Sequence, residues 1–143
     1  MTAIPRAALL LGLAGLIPFI ATAGATLTGQ PAFLLGAERR VMLHYGIIIL
    51  AFMSGVLWGF ATKAEGRQAT QGYALSVLPA LWAFFTTMGP TSQGISALVF
   101  GYLGLLALDW QFWRLGLAPA WWMQLRLILS AGVLACLAIA LYA

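Results

Sequence analysis

The sequence predicts an all-α integral membrane protein, a bundle of five transmembrane helices joined by short loops. Hydrophobic residues make up 63% of the 143 residues and charged residues only 7%, and the mean hydropathy is +0.99. A typical soluble domain carries about 25% charged residues, so this composition excludes a soluble globular protein. Short polar or turn-forming stretches divide the chain into five apolar runs. We therefore expect one transmembrane domain over 1–143, with no soluble appendage beyond its loops.

The first predicted span covers residues 7–27. Arg6 precedes it and Ala21-Thr22-Ala23 resembles a cleavage site, so a signal peptide is the competing interpretation. The apolar run is longer than the core of such a peptide, and we expect a retained span instead. Pro18 lacks a backbone N–H and should kink this helix near its middle, which neighbouring helices can tolerate. Gly29-Gln30-Pro31 then predicts a turn.

The second predicted span, residues 41–62, organises the bundle. It contains no Lys, Arg, Asp or Glu and is long enough to cross the roughly 30 Å hydrocarbon core of a bilayer. Ala51, Gly55 and Gly59 recur every four residues, which places them on one stripe of the helix, and His44 falls on the same stripe. Stripes of small residues let transmembrane helices approach closely. The pattern predicts that this helix packs at the centre of the bundle through that stripe.

Three further spans are predicted at residues 72–88, 94–113 and 120–143. The polar stretch from Lys63 to Gln71 is expected to be a loop before the first of them. That span contains Pro79 and also a tryptophan at mid-membrane depth, Trp82, whose indole N–H needs an internal partner. The glycines of the fourth span are expected to form packing surfaces.

The basic residues predict the orientation of the bundle. Loops alternate between the two sides of the membrane, so Arg39 and Arg40 lie on one side and the other basic residues lie on the opposite side. Because cytoplasmic loops are enriched in Lys and Arg, the larger set indicates the cytoplasm. The prediction is an N-in/C-out arrangement with five crossings. The cytoplasmic set comprises Arg6, Lys63, Arg67, Arg114 and Arg126.

Asp109 and Arg126 are the sharpest candidates for a functional pair. Each lies a few residues inside the cytoplasmic end of its helix, and a short connection joins the two helices. Charges within a membrane pair with one another or line an aqueous cavity, so we expect these two to meet. The structural interpretation is an ion pair that clamps the helices together, or an Arg126 that reaches the headgroups. The functional alternative is a proton or ion path, and Ser130 could extend the polar patch.

The remaining residues indicate no cofactor and no enzyme. His44 is the only histidine, so a haem with two axial histidines would need a second copy of the chain. We expect His44 instead to form a hydrogen bond inside the bundle. Zinc spacings, phosphate-binding glycine loops and catalytic carboxylate pairs are not found in the sequence. The net charge of +4 is small and scattered, which argues against nucleic acid as a partner.

Several motifs resemble those of a known family. It consists of small bacterial and mitochondrial membrane proteins, grouped as a domain of unknown function, whose animal member is transmembrane protein sixty-nine. The resemblance covers nearly the whole chain from Pro5 onward and implies a bacterial inner (plasma) membrane location, but no activity. The family often has His or Arg where this chain has Leu57. The resembling residues are Gly15-Leu16-Ile17-Pro18-Phe19, the run from Tyr45-Gly46 to Trp58-Gly59, Leu78-Pro79-Ala80-Leu81, Trp121-Trp122 and Leu125-Arg126.

Three functions are compatible with these observations. The favoured hypothesis is a non-enzymatic accessory or assembly subunit that packs against a larger membrane complex, or against itself, within the lipid bilayer. The second is a small oligomeric channel or carrier for protons or a small solute, with Asp109, Arg126 and His44 on its path. The third is a binder of an apolar ligand such as a quinone, porphyrin, sterol or lipid, by analogy with other tryptophan-rich five-helix proteins.

Overall fold

A computed structural model describes residues 3–30, 32–34 and 36–143 of the chain. All regular secondary structure in these residues is helical, and short connections join the helices, so the all-α prediction is confirmed. The helices are α1 (Arg6–Ala14), α2 (Ile17–Thr28), a short 3-10 helix (Ala32–Leu34), α3 (Glu38–Ala61), α4 (Gly66–Ser76), α5 (Leu78–Thr86), α6 (Thr91–Arg114) and α7 (Trp122–Tyr142).

Four helical segments are long and apolar enough to cross a membrane. They are Arg6–Thr28, which contains α1 and α2, and the helices α3, α6 and α7. The predicted span at 72–88 forms α4 and α5, whose first half is more polar. Helix α4 begins earlier than predicted, at Gly66, inside the stretch from Lys63 to Gln71 that was expected to be a loop. That expectation was wrong for residues 66–71, whose Arg, Gln and Ala are good helix formers.

Prolines divide two of the helical segments. Pro18 lies in the first turn of α2, and α1 ends just before it at Ala14. Pro79 likewise lies in the first turn of α5, directly after α4 ends at Ser76. Proline is tolerated in a first turn, because those N–H groups have no helical acceptor, whereas in a helix interior it breaks the hydrogen-bond ladder. The predicted break in the first span is therefore present.

The turn predicted after the first span is described in part. Gly29 ends α2 with a φ of 75°, a left-handed conformation that glycine adopts without a Cβ clash. Gln30 follows it, and Pro31 lies outside the described residues.

Helix α3 lies at the centre of the bundle and packs against α2, α4, α5 and α6. Helix α6 also packs against α5 and α7, and α7 packs against α1 and α2. The largest fully buried side chains come mainly from α3 and α6, so the core follows the interface between these two helices. They include Met42, Leu50, Leu57, Ile95, Leu98, Tyr102, Leu105 and Phe112, with Phe19 from α2 and Leu137 from α7.

Glycines bring α3 and α6 into close contact. A Cβ atom placed on Gly46 of α3 would lie 2.5 Å from Cδ1 of Leu98. On α6, the same addition at Gly94 would lie 2.9 Å from Leu43, and at Gly101 it would lie 2.8 Å from Leu50. Real Cβ atoms essentially never lie this close to another atom, so a larger residue would require the leucine side chains opposite it to shift. Small residues permit this approach, as is usual between transmembrane helices.

The stripe of small residues that was predicted to pack inside the bundle faces away from the other helices. Ala51, Gly55 and Gly59 are exposed on the outer surface of α3, and nothing lies within 4 Å of a Cβ placed on either glycine. The expectation that this stripe packs inside the bundle was wrong. The face of α3 that contains Gly46, Leu50 and Leu57 is covered instead. Both faces carry glycine, so glycine spacing alone could not distinguish them.

Candidate functional site

Asp109 and Arg126 form the central polar contact of the bundle. Arg126 Nε donates a hydrogen bond of 2.8 Å to Oδ2 of Asp109. The indole Nε1 of Trp122 donates a second bond, of 3.0 Å, to Oδ1 of the same carboxylate. Asp109 is fully buried and Arg126 is 5% exposed. Both carboxylate oxygens therefore have a donor, and the charge of Asp109 is balanced within the contact.

The ends of three helices position this contact. Asp109 lies near the end of α6, and Arg126 lies in the second turn of α7, one turn after Trp122. The connection between the helices turns at Gly116, whose φ is 79°. Lys63, just beyond α3, donates from Nζ to the carbonyl oxygen of Leu117 at 3.3 Å. The short connection and this tether hold the carboxylate and the guanidinium at the same depth.

The contact is suited to holding α6 against α7. Transfer of two charges from water into a low-dielectric interior is costly, and hydrogen bonds of good geometry must offset that cost. Removal of one partner from such a pair costs about 3–5 kcal/mol, because the other charge is left buried without compensation. Neither side chain is exposed, and each is bonded to the other. This geometry is that of a structural clamp.

Arg126 has hydrogen-bonding capacity that the clamp does not use. A guanidinium group offers five N–H donors, and the bond to Asp109 uses the one at Nε. The terminal amino groups form no hydrogen bond with any residue that the structure describes. Arg126 also lines a cavity of about 140 Å³ between α1, α2, α3, α6 and α7.

Ser130 and His44 do not join the clamp. Ser130 is 1% exposed, and its hydroxyl oxygen has no hydrogen-bond partner among the described residues. His44 is exposed on the outer side of α3, and no hydrogen bond joins its ring to the described part of the chain. The expectation of a bonded His44 inside the bundle was wrong, because the stripe it shares with Gly55 and Gly59 faces outward.

The sequence interpretation missed two contributors to the polar core. Trp122 was not expected in the polar core, although its position one turn before Arg126 already places it on the same helix face. Tyr102 is 1% exposed, and its hydroxyl donates a bond of 2.7 Å to the carbonyl oxygen of Gly46. That bond joins α6 to α3 beside the glycine contact. A single tyrosine in an apolar helix gave no signal for this role.

A second cavity lies between α5 and α6. It is an apolar groove of about 750 Å³, which Trp82 and Gly101 line together with exposed apolar side chains. The indole Nε1 of Trp82 donates a bond of 2.7 Å to the carbonyl oxygen of Ala97, which supplies the internal partner expected from the sequence. In the described residues no three His, Cys, Asp or Glu side chains lie close enough together to hold a metal ion.

The comparisons with known proteins give one family. Residues 4–142 match the family described as "Protein of unknown function (DUF3429)". The chain is 34% identical over 129 residues to transmembrane protein 69 of Xenopus tropicalis, an alignment that covers 88% of this chain and 50% of that protein. It is 33% identical over 135 residues to transmembrane protein 69 of Mus musculus, with coverage of 87% and 51%.

The chain thus spans about half the length of the curated relatives it matches. No solved structure matches it. The family match covers almost the whole chain, including both proline breaks, the central helix and the Asp109–Arg126 clamp. The relatives are membrane proteins by name, in agreement with the apolar helices of this bundle. The chain is therefore a multi-pass membrane protein that belongs to the DUF3429 family, as the resemblance to transmembrane protein 69 implied.

Proposed function

We propose that this protein is a non-enzymatic accessory or assembly subunit that packs against another membrane protein through the outer face of α3. The supporting observation is the stripe formed by Ala51, Gly55 and Gly59. All three residues are exposed, and neither glycine has a neighbour within 4 Å of its Cβ position. This outer stripe is the only surface the proposal requires.

The outer stripe has the form of a helix-packing surface. Residues four apart lie one above another on a helix, so these small residues form a shallow channel along α3. Phe52 and Trp58 are 65% and 48% exposed and supply bulk beside it. Lipid offers no hydrophobic drive for association, so close backbone approach and van der Waals contact supply the affinity. A transmembrane helix of a partner protein fits such a surface.

Affinity purification in mild detergent tests the proposal. The tagged full chain should recover a stoichiometric membrane-protein partner, and Gly55→Leu should abolish that recovery by filling the stripe. Ala131→Leu is the matched control, because Ala131 is exposed on α7, away from the stripe. Recovery of no partner with the wild-type chain, or equal recovery with Gly55→Leu, would reject the proposal.

Cross-linking in the membrane identifies the occupant of the stripe. The background is Cys136→Ala, which removes the lone cysteine, and Gly55→Cys supplies the reactive group. The proposal requires an adduct between this chain and a different membrane protein. An adduct with twice the mass of the chain would place a second copy there and would overturn the hetero-complex.

We further propose five crossings of a bacterial inner membrane, with the N-terminus inside and the C-terminus outside. The basic residues support this orientation. Lys63 bonds to Leu117 at one end of the bundle, and Arg39 bonds to the carbonyl oxygens of Ala140 and Ala143 at the other end. The α4–α5 segment supplies the fifth crossing.

Cysteine labelling tests this orientation. In the Cys136→Ala background, Gln68→Cys should react with an impermeant maleimide only after the membrane is opened. Tyr142→Cys, at a side chain that is 88% exposed, should react in intact cells. Reaction of both positions on one side of the membrane would contradict the five crossings.

The α5–α6 groove favours a second candidate function, the binding of an apolar ligand. Its volume of about 750 Å³ falls within the usual range of about 300–1,000 Å³ for ligand pockets, and its walls are apolar. Gly104→Trp should fill the groove and remove any lipid-soluble molecule that co-purifies with the wild-type protein, as measured by mass spectrometry. An unchanged set of co-purified molecules would exclude this groove. No comparable observation favours a channel or carrier, because Asp109 and Arg126 are hydrogen-bonded to each other.

A further inference from the structure

The cavity beside Arg126 suggests a ligand site that is separate from the outer stripe and from the α5–α6 groove. Arg126 is 5% exposed and lines the cavity, and its terminal amino groups form no hydrogen bond with the described residues. Guanidinium N–H groups that face a cavity within a membrane have no bulk water to bond to, which is costly. An acceptor that meets these donors would remove that cost.

The other polar groups around the cavity are already engaged. The hydroxyl of Tyr102 donates to the carbonyl oxygen of Gly46, and the carbonyl oxygen of Gly15 accepts a bond of 2.8 Å from the hydroxyl of Tyr45. Apolar side chains line the rest of the cavity. They include Leu16, Phe19, Met53, Leu129 and Val133. The site therefore has a donor group at one place and an apolar surface elsewhere.

Charge indicates that the acceptor is neutral. Asp109 already balances the charge of Arg126, so a bound anion would leave a net negative charge in a low-dielectric environment, which is costly. A neutral carbonyl oxygen accepts hydrogen bonds without adding charge. Water fits the site less well, because a buried water needs about two to four polar partners, whereas apolar side chains line most of the cavity.

Size and access restrict the ligand further. An apolar cavity of about 150 Å³ holds a molecule the size of benzene, so about 140 Å³ accommodates a single six-membered ring. Leu11 of α1 and Phe52 of α3 line the cavity and are 74% and 65% exposed. The cavity thus opens between α1 and α3 to the surface that faces lipid, where a hydrocarbon tail can leave it.

We propose that Arg126 binds the neutral carbonyl oxygen of a lipid-soluble molecule, a quinone whose ring lies in the cavity and whose tail leaves between α1 and α3. The terminal amino groups of Arg126 donate to the carbonyl, while Nε keeps its bond to Asp109. The ester carbonyl of a phospholipid offers the same chemistry from a different source. The proposal concerns binding, with no electron or proton transfer.

A binding measurement on the full chain tests this site. The protein in lipid nanodiscs is titrated with a short-tailed benzoquinone, and quenching of tryptophan fluorescence is followed. We expect saturable binding of one quinone per chain. Leu129→Phe fills the cavity and leaves the Arg126–Asp109 contact in place, so it should weaken binding at least tenfold. Leu127→Phe, at a residue that is 55% exposed on the same helix, is the matched control and should bind normally.

A second variant tests the guanidinium directly. Arg126→Leu alone would leave Asp109 buried without its partner, so Asp109 is replaced together with it. The double variant Asp109→Leu/Arg126→Leu removes both charges, a change that buried pairs often tolerate. It should also bind the quinone at least tenfold more weakly while retaining its helical circular dichroism. Binding that none of these substitutions alters would overturn the proposal, as would absence of saturable binding.

Mass spectrometry of the purified protein distinguishes the sources of the carbonyl. A bound phospholipid that the quinone fails to displace, and that Leu129→Phe removes, would assign the cavity to an ester carbonyl and overturn the quinone. Different substitutions test the two proposals, because Gly55 does not line the cavity and Leu129 lies on α7, away from the outer stripe. Phe52 flanks the stripe and also lines the mouth of the cavity, so it is left unchanged in both tests.

Discussion

The two faces of α3 carry the same residue types and have opposite environments. On the inner face, Gly46 lies so close to α6 that a Cβ would meet Leu98 at 2.5 Å. On the outer face, Gly55 and Gly59 have nothing within 4 Å of a Cβ. One glycine face thus forms the interior of the bundle and the other remains available to a different protein.

Hydrogen bonds follow the same division. The inner face supplies Ser54, whose hydroxyl accepts a bond of 2.8 Å from the backbone N–H of Ala80 in the first turn of α5. Its Gly46 carbonyl oxygen accepts from Tyr102 of α6. The outer face supplies His44, exposed and with no hydrogen bond to the described residues. On α3, glycine therefore lies at an internal contact only on the face that also carries hydrogen-bonded polar groups and buried apolar side chains.

The largest effect is expected for Gly46→Leu. The new side chain would have to occupy the space of Leu98, which is fully buried. Overpacking of a well-packed interior costs about 1–3 kcal/mol, and we expect a loss at the upper end, about 3 kcal/mol, because Leu98 is fully buried and has to move. Unfolding by sodium dodecyl sulfate, followed by the reaction of buried Cys136 with a maleimide, measures it. A loss below about 0.5 kcal/mol would show that the inner face is not tightly packed.

Tyr102→Phe is expected to have the next largest effect. It removes the bond to Gly46 and leaves the size of the ring nearly unchanged, so the loss reflects the hydrogen bond. Buried hydrogen bonds contribute about 1 kcal/mol in water-soluble proteins, and those between transmembrane helices reach about 1.7 kcal/mol. We expect a loss of about 1 kcal/mol in the same assay, because this bond is fully buried. Tyr73→Phe is the control, since the hydroxyl of Tyr73 forms no hydrogen bond with the described residues. Equal losses for the two variants would assign the effect to something other than the bond.

Ser54→Ala should have a smaller effect. Ser54 is 6% exposed and its hydroxyl satisfies an N–H of the first turn of α5, after the proline break. Polar contacts between transmembrane helices average about 0.6 kcal/mol, and we expect a loss near that value. Ser96→Ala is the comparison, because Ser96 donates within its own helix, to Ser92. A loss no greater than that of Ser96→Ala would show that α5 does not depend on α3 at this point.

The sequence was sufficient for the helical fold and for the meeting of Asp109 with Arg126. Long apolar runs, prolines and a short connection are local signals, and each acts within a few residues of the feature it predicts. The charges carried more information than the glycines. A buried charge in lipid must find a partner, and the short connection left few candidates.

The orientation of α3 about its own axis could not be predicted. Membrane helices are apolar on every side, so hydrophobic periodicity does not indicate which face is covered. The four-residue spacing of Ala51, Gly55 and Gly59 favoured the outer face, whereas the covered face contacts Leu98 and Tyr102, which are far away in the sequence. The start of α4 was also predicted incorrectly. Polar residues indicate where a membrane span ends, but they do not prevent the chain from being helical there.

The smallest effect on stability is expected for Gly55→Leu, because Gly55 is exposed on the face of α3 opposite to Gly46. The new side chain would enter open space, and leucine has the better helix propensity. We therefore expect a stability change within about 0.5 kcal/mol, measured by the same dodecyl sulfate titration as Gly46→Leu. The two substitutions are chemically identical and nine positions apart on one helix, so their difference isolates the environment. If Gly55→Leu destabilises the isolated protein as much as Gly46→Leu, the outer stripe is an internal packing surface after all. If Gly55→Leu leaves stability unchanged and still abolishes partner recovery, the outer face of α3 serves association while the inner face serves folding.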